Sequence, residues 1–261
     1  MTKTLLYSVT DRIATITFNR PTAMNSFNQA MADELEELTE QVKLDNSINV
    51  VCLNGAGKLF MAGGDIRFFY EGLDKLPAGI MKIVRTLNAS ILNLMSMPKP
   101  VVASVHGSVA GVGISFMMAS DLVLAAEETR FTMAYSGIGV SPDGGACFNL
   151  PRAVGAKKAM EWIMLSEIFD AKTALTHGLV NWVVPAEKLA EETQRLLQRL
   201  TKGPTQSYAH SKRLINESWQ LSLETHLEQE GKSFEACSMT ADFKSGVTGF
   251  LNKSKPEFIG K

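Results

Sequence analysis

Twice in this chain a short apolar run leads into a glycine-rich turn and then into a helix. The first run is Asn49-Val50-Val51-Cys52-Leu53-Asn54, followed by Phe60-Met61-Ala62-Gly63-Gly64-Asp65-Ile66. The second is Val101-Val102-Ala103-Ser104-Val105, followed by His106-Gly107-Ser108-Val109-Ala110-Gly111-Val112-Gly113. Runs without polar alternation suit strands covered on both faces, the environment of parallel strands joined by helical crossovers. Leu122-Val123-Leu124-Ala125-Ala126 continues the pattern. The arrangement predicts an α/β fold around a parallel sheet.

The remaining segments fit around that core. Leu5-Leu6-Tyr7-Ser8-Val9-Thr10 and Ile13-Ala14-Thr15-Ile16-Thr17-Phe18 flank the turn Asp11-Arg12 and read as a hairpin. Ser26 is placed to cap a helix whose apolar positions are Met31, Leu35, Leu38 and Val42. A further helix is expected over residues 80–95, ahead of Met97-Pro98-Lys99-Pro100. From Ala186 onward the pattern is helical, over 187–200, 205–219 and 222–236. Gly203-Pro204 is the expected boundary between a core of residues 1–202 and a C-terminal helical region of residues 203–261.

A length of 261 residues suffices for one α/β domain with a sizeable core. A net charge of −1 provides no global field to attract nucleic acid or an anionic membrane. Cys52, Cys147 and Cys237 are widely spaced, so neither a zinc site nor a disulfide framework is expected. The N-terminus lacks the apolar run of a signal peptide, and the stretch from Val101 to Ala126 is interrupted by His106, Asp121 and glycines. The expectation is a soluble cytoplasmic protein with no metal, nucleic-acid or membrane partner.

Glycines let a backbone approach a ligand closely, and a helix start presents N–H groups that lack partners. Two such turns facing each other would suit an oxyanion; read singly, each is also an ordinary strand-to-helix turn. A dinucleotide reading competes for the second loop, through Gly107, Gly111, Gly113 and Glu127, with Tyr208 and Lys212 as a YxxxK pair. Position opposes it. About seven residues separate this loop from the next strand, too few for a full βαβ crossover helix.

Taken together and in order, these segments resemble the crotonase (enoyl-CoA hydratase/isomerase) superfamily. Asn19-Arg20-Pro21-Thr22-Ala23-Met24-Asn25 resembles its NRPxxxNA segment, and Phe60 to Ile66 its F-x-A-G-x-D-[IL]. Lys99 to Asp121 resembles KPVIAAVxGxAxGGGxxLAxxxD; Leu150-Pro151-Arg152-Ala153-Val154-Gly155 and Gly178-Leu179-Val180 match later landmarks. The resemblance implies a ββα superhelical core and a C-terminal helical region used in trimer formation, often with two trimers stacked. It implies an acyl-CoA thioester substrate, coenzyme A being part of the substrate and not a separate cofactor. By the same resemblance the thioester oxygen sits between the N–H groups of Ala62 and Val112, the second position being glycine in most members. Ala23 and Met24 then lie near the CoA adenine, and Gly63, Gly64, Asp65 and Ile66 around the substrate. Arg67 is placed to meet CoA phosphates, and Phe250 and Lys253 match a tail segment that contacts CoA, sometimes from a neighbouring subunit.

Hydratases of this family use two glutamates, and those positions here are Ser115 and Tyr135. Hydration needs one group to deprotonate water while the α-carbon receives a proton, and neither residue is a carboxylate. Asp143, in Gly139-Val140-Ser141-Pro142-Asp143-Gly144-Gly145, resembles the SPEG or PDxG acid of family isomerases, although Pro-Asp-Gly is also ordinary turn chemistry. An isomerase needs one base that removes a proton and returns it two carbons away. The same position holds a nucleophilic aspartate in 4-chlorobenzoyl-CoA dehalogenase, which also needs a histidine on the helix before the Lys-Pro strand. None of His106, His177, His210 and His226 lies there. The favoured reading is an isomerase with Asp143 as acid and base and Tyr135 as a pocket wall or substrate donor. A hydratase-like enzyme and an acyl-CoA-binding member without turnover are the alternatives.

Overall fold

The computed structural model describes residues 3–71 and 76–260. Strands β1 (Leu5–Thr10) and β2 (Ile13–Phe18) form the expected hairpin, with Thr10 opposite Ile13. The two-residue turn places both Asp11 and Arg12 at positive φ, 51° and 65°, the geometry that matches strand twist. Helix α1 (Gln29–Leu44) follows. Its cap is Asn28, whose Oδ1 accepts from the Met31 N–H at 3.0 Å, and not Ser26 as the sequence suggested. Ser26 instead accepts a hydrogen bond from Arg20.

Strand β3 (Val50–Gly55) pairs parallel with β2. After it come α2 (Ile66–Glu71) and α3 (Leu76–Ser96), then β4 (Val101–Val105) and β5 (Ser108–Ala110). Helix α4 (Val112–Met118) leads to β6 (Leu122–Ala126) and β7 (Arg130–Thr132). Next are α5 (Ala146–Val154), α6 (Ala156–Leu165), β8 (Phe169–Asp170), α7 (Ala171–Thr176) and β9 (Trp182–Val184). The chain closes with α8 (Leu189–Thr201), α9 (Thr205–Glu217), α10 (Leu223–Ser238) and α11 (Ala241–Leu251). The main sheet has the order β1-β2-β3-β4-β6-β9, and a second sheet the order β5-β7-β8.

Successive turns of chain repeat one path: a main-sheet strand, a sidestep into the second sheet, then helix. Met61 makes that sidestep after β3 by bridging to Val109 of β5; β4 steps into β5, and β6 into β7. This is the ββα superhelix that the resemblance implied. It also explains why α4 is short, since it returns from the second sheet to the first and does not cross between neighbours of one sheet.

The apolar runs are continuous because each main-sheet strand is covered on both faces. Val51, Leu53, Val101, Ala103 and Val105 join the core that includes Leu35 of α1 and Leu87 of α3. The alternate residues Val50, Cys52, Val102 and Leu124 pack with Leu189 and Leu197 of α8. Ser104 and Thr193 exchange a buried hydroxyl contact of 2.8 Å on that second face. Lys212 of α9 reaches back to Leu94 O at 2.7 Å and Asp121 Oδ2 at 2.8 Å, so it is a tether and no partner of Tyr208 in redox chemistry. No helix among the described residues is long and apolar enough to cross a membrane.

Candidate active site

The two glycine loops lie side by side. Phe60 N–H donates to His106 O (2.9 Å), Met61 N–H to Ser108 O (3.1 Å), and Ala110 N–H to Met61 O (2.9 Å). Gly63 and Gly111 have φ of 106° and 50°, values that disfavour a side chain. They also face each other so closely that a Cβ on Gly111 would sit 3.5 Å from Gly63 Cα. Behind the loops, Phe60 meets Phe18 edge-on at 5.3 Å, while Phe116 of α4 meets both Phe18 and Phe27, at 5.4 and 5.3 Å. Burying these rings beneath both loops holds them together; truncating one such ring to alanine typically costs about 3–5 kcal/mol.

The hydrogen-bond pattern corrects one expectation. The Ala62 N–H donates to Met24 O at 3.1 Å and is not available to a ligand. Gly63 O accepts from Phe27 N–H (2.8 Å), and Phe27 O accepts from Asp65 N–H (2.9 Å). Across the trans peptide between Gly63 and Gly64, the N–H points opposite to the carbonyl, so the Gly64 N–H is aimed away from Phe27. Among the described residues the N–H groups of Gly64 and Val112 have no hydrogen-bond partner. Val112 opens α4, where a free N–H is inherent.

Asp65 is likewise occupied. Its Oδ2 pairs with Arg20 Nη2 at 2.9 Å, and its Oδ1 accepts from the Arg67 N–H at 3.2 Å, which leaves it supporting the loop and not reaching for substrate. Asn25 is fully buried at φ 51° and donates to Ala56 O and Leu59 O, at 2.9 and 2.8 Å. The segment from Arg20 to Asn25 therefore braces the first loop. Ala23 is half-buried, while Met24, Ile66 and Arg67 are exposed beside this loop. Phe250 lines a cleft of about 670 Å³ between α9, α10 and α11 that contains no residue of the glycine loops, and Lys253 lies just past α11. Among the described residues, neither has a hydrogen bond to the glycine loops.

Asp143 is brought to Ser115 and Tyr135. Tyr135 Oη donates to Asp143 Oδ1 at 2.8 Å, and Ser115 Oγ donates to the Asp143 carbonyl at 3.0 Å. The Ser115–Tyr135 hydroxyl separation, 3.4 Å, is longer than a well-formed O–H···O bond. Both residues are buried. The cluster abuts the second loop, since a Cβ on Gly111 would lie 4.0 Å from Tyr135 Cζ. Burial raises the Asp143 carboxyl above its ordinary range, opposed by the Tyr135 hydrogen bond. Burial, with the Asp143 charge, pushes the Tyr135 phenol up, so it stays protonated as a donor. The arrangement offers one half-buried carboxylate, made more basic by that burial, and no second one at either glutamate position.

Two features escaped the sequence reading. Gly64 was placed around the substrate but not as a donor, because a motif does not say which N–H is already bonded. Tyr135 was read as a wall or a substrate donor, whereas its hydroxyl serves Asp143. The eight-residue separation between them carried no such signal.

The enoyl-CoA hydratase/isomerase family model matches residues 8–261. The chain is 34% identical to the trans-2-decenoyl-[acyl-carrier-protein] isomerase of Streptococcus mutans, with 99% of each chain covered. It is 35% identical to the 1,2-epoxyphenylacetyl-CoA isomerase of Escherichia coli, with 100% of each covered. The crystal structure of an enoyl-CoA hydratase from Polaromonas superposes with a TM-score of 0.93 at 28% identity, covering 98% of this chain and 99% of that one. The paired glycine loops, the ββα path and these full-length likenesses converge: the chain belongs to the enoyl-CoA hydratase/isomerase family, the crotonase superfamily.

Proposed function

We propose that this protein is an enoyl-CoA isomerase. The thioester oxygen of an acyl-CoA is held between the Gly64 and Val112 N–H groups. Asp143 takes a proton from the carbon beside the thioester carbonyl, leaving a dienolate whose charge those N–H groups stabilise. The same carboxyl returns the proton two carbons along, which moves the double bond into conjugation with the thioester. The observation that carries this reading is the Asp143 cluster. Ser115 and Tyr135 occupy the hydratase glutamate positions and both hydrogen-bond to Asp143, leaving one proton-transfer group. The two isomerase names among the relatives support it. Ala23, Met24, Ile66 and Arg67, exposed or half-buried beside the first loop, are assigned to the CoA moiety. The subunits are assigned to a homotrimer or a dimer of trimers, in which the exposed Leu223, Phe234, Met239 and Phe250 of the C-terminal helices become covered.

The test is conversion of 3-enoyl-CoA thioesters of several chain lengths, read as the absorbance of the conjugated product, alongside hydration of 2-enoyl-CoA. Isomerisation without appreciable hydration is expected, and Asp143→Asn should lower it by about 10²–10⁴-fold. Hydration outpacing isomerisation, or no conversion at any chain length, would overturn the reading.

A further inference from the structure

Asp143 has two carboxylate oxygens in different surroundings. Oδ1 accepts the Tyr135 hydroxyl at 2.8 Å, while Oδ2 receives no hydrogen bond from another described residue. The Tyr135 ring is itself fixed, buried at 8% exposure beside Gly111. Ser115, on α4, holds the Asp143 carbonyl at 3.0 Å, which fixes the backbone from which the carboxyl projects and leaves the Tyr135 bond as the contact that opposes a flip of the carboxylate. Leu87 of α3 and Asn149 of α5 pack against the following glycines. Among the described residues no charged side chain hydrogen-bonds to or pairs with the Asp143 carboxyl, and Tyr135 is the titratable group in contact with it.

We infer that Tyr135 is a positioning residue that locks Asp143 Oδ1, so that one oxygen, Oδ2, both removes the substrate proton and returns it. This deepens the isomerase assignment and rests on it. A carboxylate free to use either oxygen can flip between the two half-reactions and exchange its proton with water. One held by a charge-assisted hydrogen bond from a phenol keeps the proton on the face of the substrate from which it came. The phenol has a second effect. Donation to the ionised carboxylate favours that form, so Tyr135 keeps Asp143 a usable base despite its burial.

The experiment compares wild type, Tyr135→Phe and Asp143→Asn in the 3-enoyl-CoA assay, with circular dichroism to confirm folding. Three quantities are read: kcat against KM, the pH at which kcat/KM falls on the acid side, and deuterium incorporated into product in D2O. For Tyr135→Phe, kcat should fall by roughly tenfold or more with KM little changed, the acid limb should move to higher pH, and deuterium incorporation should rise. Tyr135→3-fluorotyrosine, a better donor of nearly the same shape, should move the acid limb the other way and provides the test if the phenylalanine variant does not fold. An acid limb and label retention unchanged in the folded Tyr135 variants, with Asp143→Asn inactive, would overturn the role of Tyr135 alone. A fully active Asp143→Asn enzyme would overturn the base assignment, and this inference with it.

Discussion

The Ala62 N–H donates to the Met24 carbonyl at 3.1 Å, and this bond takes Ala62 out of the proposed oxyanion site, which falls to Gly64. Val112 becomes the clearer place to test that site, because the first position of a helix tolerates proline and loses no internal hydrogen bond by it. Val112→Pro deletes that N–H, exchanges one buried apolar side chain for another, and leaves Asp143 in place. A kcat lower by about 10²–10³-fold is expected, as found when one oxyanion donor is removed elsewhere, in a protein that still folds although a core side chain has been replaced. Retention of wild-type kcat in a folded Val112→Pro protein would place the oxyanion away from α4.

Legibility differed between fold and site for a physical reason. Val50 to Leu53 and Val101 to Val105 could be read as doubly covered strands because burial of both faces writes itself into every residue of a run. The same runs placed both glycine loops, and the turn at Asp11-Arg12 fell where the β-branched pattern broke. Donor availability is not written that way. Whether Ala62 or Gly64 has a free N–H depends on where Met24 and Phe27 arrive in space, and so on Asn25 holding its left-handed conformation. Asn28 in place of Ser26 as the cap of α1 is a smaller case: both residues are capable, and Arg20 engages the serine. Tyr135 and Asp143 meet because the intervening chain turns back through Gly139 at positive φ.

Asp143 also sets a dependence of stability on pH. Its folded carboxyl is raised by burial, so the folded state binds that proton more tightly than the unfolded chain does. At pH values below the unfolded carboxylate pKa, near 4, both states are protonated and the residue is neutral toward stability. As pH rises through that value the unfolded chain ionises first, and stability is lost until the folded pKa is passed. Asparagine cannot ionise and still accepts the Tyr135 hydroxyl through its own Oδ1. Asp143→Asn is therefore expected to be inactive yet more stable than wild type at pH 7, by about 0.5–2 kcal/mol, the usual size of a stabilising relief at a functional site. The advantage should vanish as the pH approaches 4. Thermal melts at pH 7 and pH 4 check this, and the same difference between variant and wild type at both would show that the half-buried carboxylate is not destabilised by ionisation.

Gly144 and Gly145 separate backbone strain from contact at the Asp143 turn. Both have positive φ, 56° and 79°, so alanine at either position carries a similar backbone penalty, about 1 kcal/mol or more. Their surroundings differ. A Cβ on Gly144 would lie 2.9 Å from Ser115 Cβ, whereas one on Gly145 would meet only Asn149 Nδ2 at 3.4 Å. The first approach is closer than two carbons tolerate, and α4 is buried and cannot yield, so the turn must move and carry Asp143 away from Tyr135. Gly145→Ala is thus expected to lose stability with kcat within a few-fold of wild type. Gly144→Ala is expected to lose more stability and also at least tenfold in kcat, because misplacement of a catalytic group by about 1 Å can cost 10²-fold. Measuring melting temperature and kcat for the pair decides it: equal kcat values would mean that the contact with Ser115 does not position the carboxylate.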